Sequence, residues 1–250
     1  MTFFPIAGPA GQLTGLSTAD ADIDAMPMVL LHGIQGSARA WDEVLKHLPN
    51  RIPALAPNLR GRGGSVAPTD PMAYTVGCFA DDLAAVLNAL KRPCLLVGWS
   101  MGVLVSLAYL RRYGTSRLGA LVLISGTSQG NECHWFSGEN AEEIAKEAEL
   151  RASRMALKES ASPVAAAGAW LSVTSTDFRS VLPSIELPTL VIHGSADDQC
   201  PLGHGQLIAD TIPGAELVLL DGGLHNILAQ NPAWVAGHLV HLYDSVTRLP

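Results

Sequence analysis

The stretch Cys94-Leu95-Leu96-Val97-Gly98-Trp99-Ser100-Met101-Gly102 carries four small or apolar residues into a Gly-x-Ser-x-Gly turn, and an apolar run to Leu110 follows. Nothing is charged over the 18 residues from Pro93 to Leu110, and Lys91-Arg92 and Arg111-Arg112 flank them. That length just suffices to span a bilayer. Gly98, Ser100 and Gly102 crowd its first half, however, where a span would be large and apolar. The stretch therefore reads as a buried strand, a tight turn and a buried helix from Met101 to Tyr113, ended by Gly114. Gly98 and Gly102 let the turn close without clashes. Ser100 is then held in a strained conformation with its hydroxyl exposed above the sheet.

Similar short apolar runs recur at Met28–Leu31, Ile52–Ala56, Ala120–Ile124, Thr189–Ile192 and Glu216–Leu220, as expected of strands buried on both faces. Helical patterns lie between them. Ser37 is placed to cap a helix through Trp41, Val44, Leu45 and Leu48, and Phe79, Leu83, Val86, Leu87 and Leu90 mark one helical face. Pro201 and Asn231-Pro232 read as helix starts. The alternation predicts an α/β fold with a mostly parallel central sheet flanked by helices. The rhythm breaks at residues 126–187, which hold no strand-like run. There Glu139, Glu142 and Glu143 open a helix that Arg151, Arg154 and Lys158 close, an order that suits the helix dipole, and Trp170-Leu171 lies on a second short helix. The expected organisation is a core of residues 1–125 and 188–250 carrying a helical lid, 126–187. The first 25 residues could form an edge hairpin or a loose arm, with Asp20, Asp22 and Asp24 a solvated acidic turn.

Composition narrows the function. The chain has 250 residues, 48% of them apolar and 16% charged, which excludes a disordered polymer. Its net charge is −7, and between Arg179 and Arg248 there is no Lys or Arg against seven acids. No basic face for nucleic acid is expected. No Lys or Arg precedes Arg39, so no secretory leader is expected. Cys78, Cys94, Cys133 and Cys200 are dispersed, which favours a reducing, cytoplasmic setting. No metal-ligand spacing or dinucleotide fingerprint appears, so no metal or cofactor is expected.

A serine hydroxyl needs a base, and the base an orienting carboxylate. Both lie downstream, after strands: His193-Gly194-Ser195-Ala196-Asp197-Asp198-Gln199-Cys200-Pro201, then Asp221-Gly222-Gly223-Leu224-His225. Loops at carboxyl ends of strands are where open α/β sheets place their sites. His32-Gly33-Ile34-Gln35-Gly36-Ser37 and Arg60-Gly61-Arg62-Gly63-Gly64-Ser65 complete the set. With these motifs in this order, the chain resembles the α/β-hydrolase family, of the small lid-bearing esterase and lactonase kind. The match runs from about residue 28 to the end, outside the lid.

The resemblance implies Ser100 as nucleophile, His225 as general base, Asp197 as its orienter, and the backbone N–H groups of Ile34 and Met101 as oxyanion hole. Asp198 is the rival acid. His32 and His193 read as structural, and Arg60 and Arg62 as parts of a turn. Val103 stands where many relatives have a glycine. Trp99, Trp135, Phe136 and Trp170 are candidates to line an apolar acyl pocket, with packing inside the lid as the alternative for the lid aromatics. The expected activity is metal-free hydrolysis of a small to medium carboxylic ester. Lactones, thioesters and carbon–carbon bonds beside a ketone fit the same machinery, and a hydrolase-like receptor with little turnover is the contrasting reading. Oligomeric state stays open.

Overall fold

The structure is a computed structural model that describes residues 2–18, 25–154 and 159–248; Asp20, Asp22, Asp24 and Lys158 lie outside them. The chain opens with β1 (Thr2–Gly8) and β2 (Gly11–Ser17), so the edge hairpin is the alternative that forms. Next come β3 (Met28–Leu31), a 3-10 turn over Ala38–Trp41, α1 (Asp42–Leu45) and β4 (Ala54–Asn58). Then follow α2 (Val76–Ala89), β5 (Cys94–Trp99), α3 (Met101–Tyr113) and β6 (Leu118–Ile124). The sequence between β6 and β7 forms α4 (Ala141–Arg154) and α5 (Pro163–Val173). The chain closes with β7 (Thr189–Gly194), α6 (Leu202–Thr211), β8 (Glu216–Leu220), α7 (Ile227–Gln230) and α8 (Pro232–Thr247).

The strands build one sheet of eight, ordered β1-β2-β4-β3-β5-β6-β7-β8. β2 pairs antiparallel with β1 and β4, and every pairing from β4 to β8 is parallel. Strand alternation sends side chains to two separate cores. Val29, Leu31 and Leu96 join the core that also holds α2 and α3, while Met28, Leu30, Leu95 and Val97 join the core that holds α1 and α8.

Several expectations shift. The fourth strand starts at Ala54, two residues late, because Pro53 has no N–H to give a ladder and instead offers its carbonyl to Met28 N. Ser37 does cap, accepting from Arg39 N, but the helix is short and tight, and its α part ends at Leu45. β8 is an edge strand with Glu216 exposed and Leu219 44% exposed, not a doubly buried one, since no strand lies beyond it. The 18 uncharged residues divide into β5 and α3, and among the described residues no helix is long and apolar enough to cross a membrane. Asn140 caps α4, accepting from Glu142 N and Glu143 N, so Glu139 lies just ahead of the helix.

Candidate active site

The turn between β5 and α3 shows why its glycines are required. A Cβ on Gly98 would lie 2.5 Å from Gly102 O, and one on Gly102 would lie 2.8 Å from Leu31 O. Ser100 sits at the crest with φ 57° and ψ −120°, a region L-residues rarely occupy. Its N–H is tied to Ile124 O at 2.9 Å, which anchors the crest to the end of β6. Val103 is accommodated because Gly126 faces it: a Cβ on Gly126 would meet Val103 Cγ2 at 2.3 Å.

Three side chains from three loops meet here in one row. Ser100 Oγ lies 2.9 Å from His225 Nε2, and His225 Nδ1 lies 3.0 Å from both oxygens of Asp197. With Asp197 ionised, Nδ1–H donates to the carboxylate and Nε2 is left to accept from the serine hydroxyl. All three are at most 7% exposed. Asp198, by contrast, is exposed. Burial works against the Asp197 charge, but the His225 hydrogen bond and the N–H groups of Cys200 and Gln199 outweigh it and hold the carboxyl below its ordinary pKa.

The loops bearing Asp197 and His225 are stitched together. Ala196 N donates to Gly223 O at 2.9 Å, and Gly222 N to Ser195 Oγ at 2.8 Å. The two backbones approach so closely at Gly194 that a Cβ there would lie 2.2 Å from Gly223 O. Trp99 Nε1 donates to His225 O at 3.2 Å and fixes the backbone of the base. His193 is structural: its Nε2 donates to Cys200 O at 2.7 Å, and burial lowers its pKa.

Ile34 and Ser100 line the same cavity, of about 740 Å³. A Cβ on Gly33 would lie 3.2 Å from Ser100 Cβ, so the Gly33 Cα faces the serine. Met101 opens α3, where unsatisfied N–H groups and the helix dipole favour an anion. Trp99 lines the cavity, but Trp135, Phe136 and Trp170 do not. Their rings pack on one another, with centroids 5.5 Å apart for Trp135–Trp170 and 5.7 Å for Phe136–Trp170. Trp135 Nε1 also donates to Gln199 O at 3.0 Å.

The cavity wall is more polar than an apolar acyl pocket. Gln35, Arg39, Asp42, Glu43, Arg151, Glu159, Gln199 and Asn226 share it with Ile34, Trp99, Leu228 and Ala229. Ile34 and Trp99 were expected here, but the polar lining was not, although Gln35 lies in the HG-x-x-GS run and Gln199 in the loop of Asp197. Among the described residues, no cluster of three or more His, Cys, Asp or Glu side chains could hold a metal ion.

Comparison with known proteins bears on the family and the fold. Residues 26–147 match the family model for the alpha/beta hydrolase fold. Over 240 residues, 80% of this chain and 85% of the other, the chain is 30% identical to a Synechocystis protein named "Putative non-heme chloroperoxidase". The chain belongs to the α/β-hydrolase family. This α/β-hydrolase is also 27% identical to a pimeloyl-(acyl-carrier protein) methyl ester esterase of Aromatoleum aromaticum, over 82% of this chain and 93% of that one. A solved esterase from Thermogutta terrifontis shares the fold, with a TM-score of 0.82 over 98% of this chain and 99% of that one at 24% identity.

Proposed function

We propose that this α/β-hydrolase is a serine esterase that cleaves a small to medium carboxylic ester through an acyl-enzyme on Ser100. One observation carries the reading: the unbroken row from Ser100 Oγ through His225 to the Asp197 carboxylate, with both links at 2.9–3.0 Å. The methyl ester esterase among the relatives supports ester as the substrate class.

In this mechanism Ser100 Oγ attacks the ester carbonyl carbon while His225 Nε2 takes the hydroxyl proton. The carbonyl oxygen becomes an anion that the N–H groups of Ile34 and Met101 receive. Losing one such donor typically costs about 3 kcal/mol of barrier. As the intermediate collapses, the leaving alcohol takes the proton from His225 and departs, leaving the acyl group on Ser100. Water then gives a proton to His225 and attacks the acyl carbon. Breakdown returns that proton to Ser100 and frees the acid.

Residues 126–187 act as the lid. Arg151 and Glu159 reach the cavity from it, and Gln35 ties it to the core through Ala148 O and Ala161 N. The mixed wall suits an acyl or alcohol group that carries polar atoms. Hydrolysis of p-nitrophenyl butyrate by the wild type and its loss in Ser100→Ala test the reading. Equal rates in the two proteins would refute it.

A further inference from the structure

Two arginines of the Arg60–Ser65 turn look alike in sequence and are used differently. Arg60 has a counter-ion: Nε and NH2 donate to the two oxygens of Asp82 at 2.9 and 2.7 Å. Arg62 is 0% exposed, yet no carboxylate pairs with it among the described residues. Its guanidinium donates instead to neutral carbonyls, NH1 to Arg60 O at 2.9 Å and NH2 to Ile34 O at 2.7 Å. The carbon of the guanidinium lies 4.7 Å from the centre of the Phe79 ring, and Nε has no hydrogen-bond partner among the described residues. Burial draws its pKa from 12.5 down to about 10, so the charge is present at neutral pH.

A buried cation with no carboxylate in contact, helped only at longer range by Asp82, is costly, and an apolar side chain of similar volume would fill the space without that cost. What an apolar residue could not do is hold Ile34. Resting on the esterase reading above, we propose that Arg62 is a positioning residue for the oxyanion hole, locking the Ile34 carbonyl so that the Ile34 N–H stays aimed at the oxygen of the attacked carbonyl.

The other side of Ile34 is held as well. His32 Nδ1 lies 2.8 Å from Gly33 O, and Leu59 N donates to His32 Nε2 at 3.2 Å. With Nε2 accepting, Nδ1 must carry the proton and donate to Gly33 O. This fits a His32 kept neutral by burial and by the Arg62 charge, its pKa lowered to about 3. Both peptide units flanking the Ile34 Cα are therefore tied at their carbonyl oxygens. The Gly33 tie also polarises the peptide whose N–H receives the oxyanion. Arg62 adds a fixed positive charge one residue away, in a low-dielectric interior where charge acts strongly.

The test is steady-state kinetics of Arg62→Met, Arg62→Gln and Arg62→Lys on p-nitrophenyl butyrate, with inhibition by a phenylboronic acid that forms a tetrahedral adduct on a nucleophilic serine. Melting curves give the folded fraction of each variant. Arg62→Met and Arg62→Gln should lose about 10- to 100-fold in kcat with KM within about 2-fold. Boronate affinity should fall by a similar factor, and Arg62→Lys should recover part of both. A merely structural arginine would lower the melting temperature and leave kcat per folded molecule and boronate affinity at wild-type values, which would overturn the proposal. Should Arg62→Met not fold, Arg62→Gln and Arg62→Lys give the same readout. A wild type that neither hydrolyses the ester nor binds the boronate would overturn the esterase reading itself.

Discussion

At the residue scale, the account rests on which groups can exchange one proton. In the proposed mechanism the Asp197 carboxylate, 3.0 Å from His225 Nδ1, holds His225 in the tautomer whose Nε2 can accept. Asp197→Asn keeps the shape and offers its amide where an acceptor is needed. We expect kcat to fall by about 10⁴-fold with little change in melting temperature, checked by esterase assay alongside thermal unfolding. The three positions were singled out through the resemblance that the ordered motifs carry, each sitting in a short local signature, and the structure brings their side chains into one row. Arg62 was legible only as a turn residue, since its partner Ile34 is 28 positions away and no local pattern joins them. The cavity lining was hidden for the same reason: Asp42, Arg151 and Asn226 come from separate segments and meet only in the folded chain.

Elements add constraints of their own. The β5–α3 turn leaves no room at its glycines, so Gly102→Ala should cost about 1–3 kcal/mol and lower kcat as the crest shifts, measured by urea unfolding and kinetics. Trp170 is 4% exposed on α5, packed on Trp135 and Phe136 and away from the cavity wall. Trp170→Ala should therefore destabilise by about 3–5 kcal/mol while KM for a small ester stays near wild type. A large rise in KM without loss of stability would put the indole against substrate after all. Most strands could be read from their short apolar runs, α2 from its periodicity, α4 from its charge order, and α6 and α8 from the prolines that open them. The edge position of β8 could not, because burial of a strand depends on its neighbours and not on its own residues.

For the whole molecule, stability should follow pH through its buried histidines. His32 is neutral in the fold, with its pKa lowered from 6.5 to about 3 by burial and by Arg62, and His193 is shifted the same way by burial. The unfolded chain binds these protons first, so stability is full above pH 6.5 and drains as pH falls toward 3. Asp197, held below its ordinary value, acts in the same direction and loses its contribution as pH falls through that lowered value. Urea midpoints measured from pH 7.5 to pH 4.5 should decline steadily, and His32→Gln should flatten the slope by about one proton.

The central claim is that Ser100 is made nucleophilic by His225 and Asp197. It is tested most directly by incubating the protein with a fluorophosphonate and mapping the adduct by mass spectrometry. The account predicts one phosphonyl group per chain, on Ser100, with labelling lost in Ser100→Ala and strongly slowed in His225→Ala. A wild type that stays unlabelled, or a label carried by another residue and unaffected by either substitution, would contradict it.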